Sequence, residues 1–193
     1  MKKKLLKLTL ISLASASIFG CATAIVGGVV AAGATGAAVE TDPRSADGVV
    51  DDQKLRSNVA DAISAIIPGS NVEVTSYDAN VLLTGQVISE DNKLKAENVA
   101  LQVPRVKLVK NYITGGKTQS AGQTSKDAYL TSIVKSNMLF SKGISSNDVK
   151  VVTTNGVVYL MGRVDKYQAK KMVSAAKAVD GVKQVVELFE IIN

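Results

Sequence analysis

Val72-Glu-Val-Thr-Ser-Tyr-Asp-Ala-Asn-Val-Leu-Leu-Thr-Gly-Gln-Val87 and Val149-Lys-Val-Val-Thr-Thr-Asn-Gly-Val-Val-Tyr-Leu-Met-Gly-Arg-Val164 are two copies of one stretch, offset by 77 residues. Six of the sixteen positions are identical: Val72/Val149, Val74/Val151, Val81/Val158, Leu83/Leu160, Gly85/Gly162 and Val87/Val164. The matches alternate, as strands with one buried side require, and they flank a turn at Asp78 in one copy and Asn155-Gly156 in the other. Each copy therefore predicts a β-hairpin.

The flanks repeat as well, once the offset changes by a residue or two at loops. Leu55, Val59 and Ile63 fall on Leu130, Val134 and Met138, an i, i+4, i+8 stripe that predicts an amphipathic helix before each hairpin. Val103, Val106 and Val109 fall on Val179, Val182 and Val185, spanning the end of a second helix and a third strand. Each unit thus reads helix, strand, strand, helix, strand. The predicted class is α+β, with two tandem units that each pack a three-stranded mixed sheet on two helices. Their expected extents are residues 46–114 and 125–193, and the Gly, Ser, Gln and Thr content of residues 115–124 predicts a flexible linker. A unit of this size is marginal alone, and helices on one side leave the other sheet face open, so the two copies are expected to pack together.

Composition narrows the chemistry. Among 193 residues there is no histidine, no tryptophan and one cysteine, which leaves no Ser-His triad, Cys-His pair, imidazole zinc site or internal disulfide. No catalytic residues, metal site or cofactor are expected. Asp51, Asp52 and Asp127 read as acidic residues opening helices, where they meet the positive end of the dipole. Four of the six net positive charges are Lys2, Lys3, Lys4 and Lys7, so the overall basicity gives no argument for nucleic acid.

Those lysines belong to an address. Residues 1–20 read as a signal peptide: a positive n-region, then an apolar run from Leu8 to Phe19, shorter than the roughly 20 apolar residues of a spanning helix. The run ends at Ile18-Phe19-Gly20-Cys21, which resembles the bacterial lipobox except for the bulk of Phe19. Cys21 is therefore the expected acylation site. Ala22 in place of Asp implies, by the same resemblance, sorting to the outer membrane with the protein facing the periplasm. Residues 21–45 read as the acylated cysteine and a Gly- and Ala-rich tether, with a membrane-embedded hairpin or short span as the competing reading for the uncharged part.

The helix-strand-strand-helix-strand order, with Gly85 and Gly162 near the ends of the second strands, resembles the BON family of small bacterial domains. Thr41-Asp-Pro-Arg-Ser45, Val50-Asp-Asp52 and the Asn147 to Gly162 stretch carry the likeness further. The resemblance implies a lipid-anchored outer-membrane protein whose second BON domain binds anionic phospholipid and which supports outer-membrane integrity, with enrichment at the division site.

Charge separates the copies. Residues 46–114 hold seven Lys+Arg against nine Asp+Glu, a net −2, whereas residues 124–193 hold ten against six, a net +4. A cationic unit on a lipid tether would be drawn to phosphatidylglycerol or cardiolipin; an ordinary solvated surface is the plain alternative. In the first helix of the second copy, Tyr129 replaces Lys54 and Ile133 replaces Asn58. Tyr129, Ile133 and Phe140 fall within about 40° of one another at 100° per residue, apart from the core stripe. Tyr129 and Ile133 are the expected insertion residues, with Phe140 beside them in the phospholipid-binding set and Lys126, Lys135 and Lys142 reaching phosphates. Packing of this stripe against the first unit competes with that reading. An adaptor for other envelope proteins, using the open sheet face or the Tyr129 stripe, is the alternative function. Gly85 and Gly162 are expected to serve backbone geometry rather than chemistry.

Overall fold

A computed structural model describes residues 46–144 and 147–192. The expected signal peptide, Cys21 and the tether lie outside the described residues. The elements are α1 (Ala46–Ile66), β1 (Asn71–Tyr77), β2 (Asn80–Val87), α2 (Glu90–Gln102), β3 (Leu108–Asn111) and β4 (Thr114–Gly115), then α3 (Ala121–Leu139), β5 (Val149–Thr154), β6 (Val157–Val164), α4 (Lys166–Lys177) and β7 (Gln184–Ile191). Each half repeats one order. A hairpin is followed by a helical crossover that returns the chain to a strand parallel to the second one, giving sheets ordered β1-β2-β3, with β4 extending the pairing along β2, and β5-β6-β7.

The hairpin turns contain two residues each, and both have positive φ: Asp78 at 49° and Ala79 at 62°, Asn155 at 54° and Gly156 at 79°. That is type I′ geometry, whose twist matches paired strands. Register then decides which side chains face inward. Val74, Val81, Leu83 and Val87 join Leu55, Val59 and Ile63 of α1 and Ala96 and Ala100 of α2 in one core. Val151, Val158, Leu160 and Val164 join Leu130, Val134 and Met138 of α3 and Met172 and Ala176 of α4 in the other.

The residues between these positions point the opposite way, and there the two sheets meet. Tyr77, Leu82, Tyr159 and Met161 are buried in a third cluster, with Val152, Val157, Val186 and Leu188 packed around it. The Tyr112 and Tyr159 rings lie 5.1 Å apart, tilted by 59°, a favourable aromatic arrangement. Burial, with Tyr112 beside it, pushes the Tyr159 hydroxyl up to about 12. Thr154 Oγ1 to Thr84 Oγ1 at 3.2 Å and Lys150 Nζ to Ser76 O at 3.2 Å also cross between the units. The layers therefore run helices, sheet, sheet, helices. The open sheet face is consumed by the partner unit, so the expectation that it could receive an envelope protein is corrected.

The flexible-linker expectation for residues 115–124 is also corrected. Thr114 and Gly115 pair with Gln86 and Val87, Gln119 N donates to Gln86 Oε1 at 3.0 Å, and Ser120 caps a helix that already begins at Ala121. Ser and Gln here are cap and tether, residue types that composition alone counts as loop.

A buried carboxylate pins each hairpin to the helix before it. Asp52 accepts from Ser76 Oγ at 2.6 Å, from Asp78 N at 2.7 Å and from Ala79 N at 2.9 Å. Asp127 accepts from Asn155 N at 2.7 Å, from Gly156 N at 2.9 Å, from Gln123 Nε2 at 2.9 Å and from the Gln119 side-chain amide. Both are more than nine-tenths buried. The reading of Asp52 and Asp127 as dipole-facing helix openers is corrected: they lie beyond the first turn and satisfy turn N–H groups that no strand partner can reach. Asp51 remains at the surface, paired with Arg105 at 2.6 Å, which holds its carboxyl below the usual range.

Candidate membrane-binding surface

The sheet-to-sheet contact leaves the α3/α4 layer of the second unit on the outside, away from the first. α3 buries Asp127, Leu130, Val134 and Met138, so its remaining faces look to solvent or to α4. Tyr129 is 63% exposed and Phe140 is 81% exposed. The reading in which this stripe packs against the first unit therefore fails. Phe140 is the C-cap of α3 in right-handed helical geometry, so it keeps the helical direction that brings it to within about 20° of Tyr129.

Ile133 departs from expectation. It is half-buried and packs against the second unit's core, because its direction on the helix lies between the inward stripe and the neighbouring α4. Its counterpart Asn58 is exposed, which explains why the apolar substitution looked surplus. Lys126 and Lys142 are exposed; Lys135 is half-buried, and that burial lowers its ammonium pKa. The expected set thus divides: Tyr129, Phe140, Lys126 and Lys142 are accessible, whereas Ile133 and Lys135 belong partly to the fold.

Residues outside the expected set stand beside these. Leu139 is exposed at the end of α3. The following turn returns to α4, where Lys171 Nζ donates to Lys142 O at 2.7 Å and sits 4.7 Å from the centre of the Tyr167 ring. A Cβ added at Gly143 would touch Tyr167 Cε1 at 3.6 Å. The sequence signal for this corner is Tyr167-Gln-Ala-Lys-Lys171, an aromatic and a cation one helical turn apart.

The two glycines matched by the repeat, Gly85 and Gly162, lie in the second strand of each hairpin. Gly85 has φ +102°, and a Cβ there would run into the backbone carbonyl of Asn71; at Gly162 the obstacle is the carbonyl of Asp148. Both are positions of close backbone approach. Among the described residues no group of acidic or cysteine side chains is arranged to hold a metal, and no helix is long and apolar enough to cross a membrane.

Family models agree with the duplicated architecture: the BON domain matches twice, at residues 51–117 and 126–193. The chain belongs to the BON family. It is 38% identical over 186 residues to the outer membrane lipoprotein DolP of Haemophilus influenzae, covering 94% of each chain. The 21 kDa hemolysin of Actinobacillus pleuropneumoniae is 32% identical, with 79% of this chain and 80% of that one covered. The osmotically-inducible protein Y of Escherichia coli is also 32% identical, with 78% and 77% covered. This BON protein is a component of the cell envelope, an outer-membrane lipoprotein.

Proposed function

We propose that this BON protein is anchored through acylated Cys21, faces the periplasm, and binds anionic phospholipid through its second BON domain. The observation that carries the reading is the exposure of Tyr129 and Phe140 on the outward helical layer of the unit that also holds the excess positive charge. An aromatic side chain with a polar tip suits the headgroup level, and lysines around it gain from a negative surface. The 24 residues between Cys21 and Ala46 allow an extended reach of up to about 80 Å, ample for the layer to lie on the bilayer that holds the anchor. Support of outer-membrane integrity and enrichment at the division site complete the proposal, on the strength of family resemblance.

Flotation of the chain from Ala46 to Asn193 with vesicles tests it. Binding should require phosphatidylglycerol or cardiolipin and weaken with salt. Tyr129→Glu should reduce binding by at least an order of magnitude, because a carboxylate at the headgroup level meets both like charge and desolvation, while the melting temperature stays that of the parent. Equal binding to neutral vesicles, or an indifferent Tyr129→Glu variant, would refute the site.

A second reading, an adaptor for envelope proteins, has its own observation. Ile66, Leu94 and Leu101 are exposed on the α1/α2 layer, which points away from the proposed bilayer face. Retention of envelope proteins by the parent but not by a Leu94→Glu, Leu101→Glu variant would favour it.

A further inference from the structure

We propose that the bilayer-facing surface continues from α3 onto α4, where Tyr167 and the lysines Lys166, Lys170, Lys171 and Lys177 form a second strip that engages the headgroup phosphates of an anionic membrane. The inference rests on the lipid-binding reading of α3 and assigns a second helix to it.

Three observations carry it. α4 turns Ala169, Met172, Val173 and Ala176 into the core, which leaves Tyr167, 62% exposed, and Lys166, Lys170 and Lys177 toward solvent, with Lys171 half-buried over the Tyr167 ring. The end of α3 lies against the start of α4 through the Lys171–Lys142 hydrogen bond and the close approach of Gly143 to Tyr167, so Phe140 and Tyr167 flank one corner. None of the four lysines pairs with a carboxylate among the described residues. The nearest acid in the chain, Asp165, accepts from Tyr167 N and Gln168 N as the helix cap. By contrast, both lysines of α2 are paired, Lys93 with Glu90 and Lys95 with Asp91.

Uncompensated lysines beside exposed aromatics on the outward layer of a tethered domain complement an anionic surface. Lys166 and Lys177 stand about 16 Å apart along the helix, a span that a plane of headgroups can meet and a single phosphate cannot. Each lysine near such a surface strengthens partition by roughly fivefold at low salt.

The chain contains no tryptophan, so single tryptophans report their own surroundings. In the Ala46 to Asn193 protein, which carries both cores and the layer between them, Tyr129→Trp and Tyr167→Trp should both shift emission to the blue on mixing with phosphatidylglycerol/phosphatidylcholine vesicles. Leu101→Trp, on the opposite layer, should not respond. Replacing the three exposed lysines together, by Lys166→Gln, Lys170→Gln and Lys177→Gln, should weaken partition to those vesicles by at least roughly tenfold, and free glycerol phosphate should not compete. A silent Tyr167→Trp, undiminished binding by the lysine variant, or competition by glycerol phosphate overturns the α4 strip. If Tyr129→Trp responds in that case, lipid binding through α3 stands; if the parent does not bind anionic vesicles, both fall together.

Discussion

The two units are built on one skeleton and differ in the continuity of one strand and in their surface charges. In the second unit β6 and β7 pair without interruption from Val157↔Gln184 to Val164↔Ile191. In the first, the parallel partner of β2 is split into β3 and β4, although the register offset is the same on both sides of the gap. The break falls opposite Gly85, which holds a φ of +102°, whereas Gly162 holds no left-handed φ. Asn111 compensates, its side-chain oxygen accepting from Ile113 N at 3.1 Å. Surfaces diverge further: among the described residues the first unit carries four ion pairs, Lys93 with Glu90, Lys95 with Asp91, Arg105 with Asp51 and Lys107 with Asp78, and the second carries Arg163 with Glu190, with none on α4. The residues that pin the turns and let strands approach, Asp52/Asp127 and Gly85/Gly162, answer to folding and are the same in both copies, while the exposed helix faces differ.

The sharpest way to break this comparison is to put a side chain on each glycine. Gly162→Val must push apart two backbone strands at the Asp148 carbonyl, and Gly85→Val must do the same at Asn71 while also adopting a left-handed φ. We expect a loss on the order of 3 kcal/mol at Gly162 and a further 1–2 kcal/mol at Gly85. Urea unfolding of the Ala46 to Asn193 protein measures both. Equal losses would mean that the φ of Gly85 follows from the interrupted strand instead of causing it.

The buried aspartates come next. Asp52→Ala and Asp127→Ala should each cost about 3 kcal/mol, because two turn N–H groups lose a charged acceptor in a dry place. Similar losses are expected, since the N–H contacts match although the supporting side chains differ: a hydroxyl for Asp52, two glutamine amides for Asp127. Gln123→Ala should therefore cost under about 1 kcal/mol. A Gln123→Ala loss as large as that of Asp127→Ala would show that the amides, not the turn, are what the carboxylate serves.

Much of this was legible in the sequence because hairpin and helix periodicities act locally. The alternation of Val72, Val74, Val81 and Leu83 and the Leu55, Val59, Ile63 stripe fixed the elements and the core. The role of Asp52 and Asp127 was harder to see, since each acts on a turn some 26 to 29 residues away; their signal was the offset that also aligns Leu55 with Leu130. Ile133 was misplaced because helical angle distinguishes inward from outward but not solvent from a neighbouring helix. Tyr129 and Phe140 were readable as residues the core did not need. Tyr167 and Lys171 were not, because their meaning depends on which end of α4 meets α3, a fact of tertiary packing.

The smallest expected effect tests the hairpin turns, Asp78-Ala79 in one unit and Asn155-Gly156 in the other, at the second position, where alanine and glycine differ by one methyl group. Ala79 holds φ 62° and Gly156 holds φ 79° at the same place in the type I′ turn. A left-handed conformation costs a non-glycine residue about 1–2 kcal/mol, partly returned because glycine loses more chain entropy on folding. Ala79→Gly should therefore stabilise the protein by roughly 0.5–1 kcal/mol, and Gly156→Ala should destabilise it by about the same amount. The new methyl at 156 would meet the Lys183 side chain at 3.2 Å, a contact that an exposed, flexible lysine relieves by moving. Thermal unfolding of the two variants and of the double swap decides the matter. If the shifts are opposite in sign and cancel in the swap, the turns are energetically equivalent parts of one repeated design. A stabilised Ala79→Gly beside a Gly156→Ala of several-fold larger cost would instead show that the carboxylate pin of Asp127 tolerates less displacement than that of Asp52.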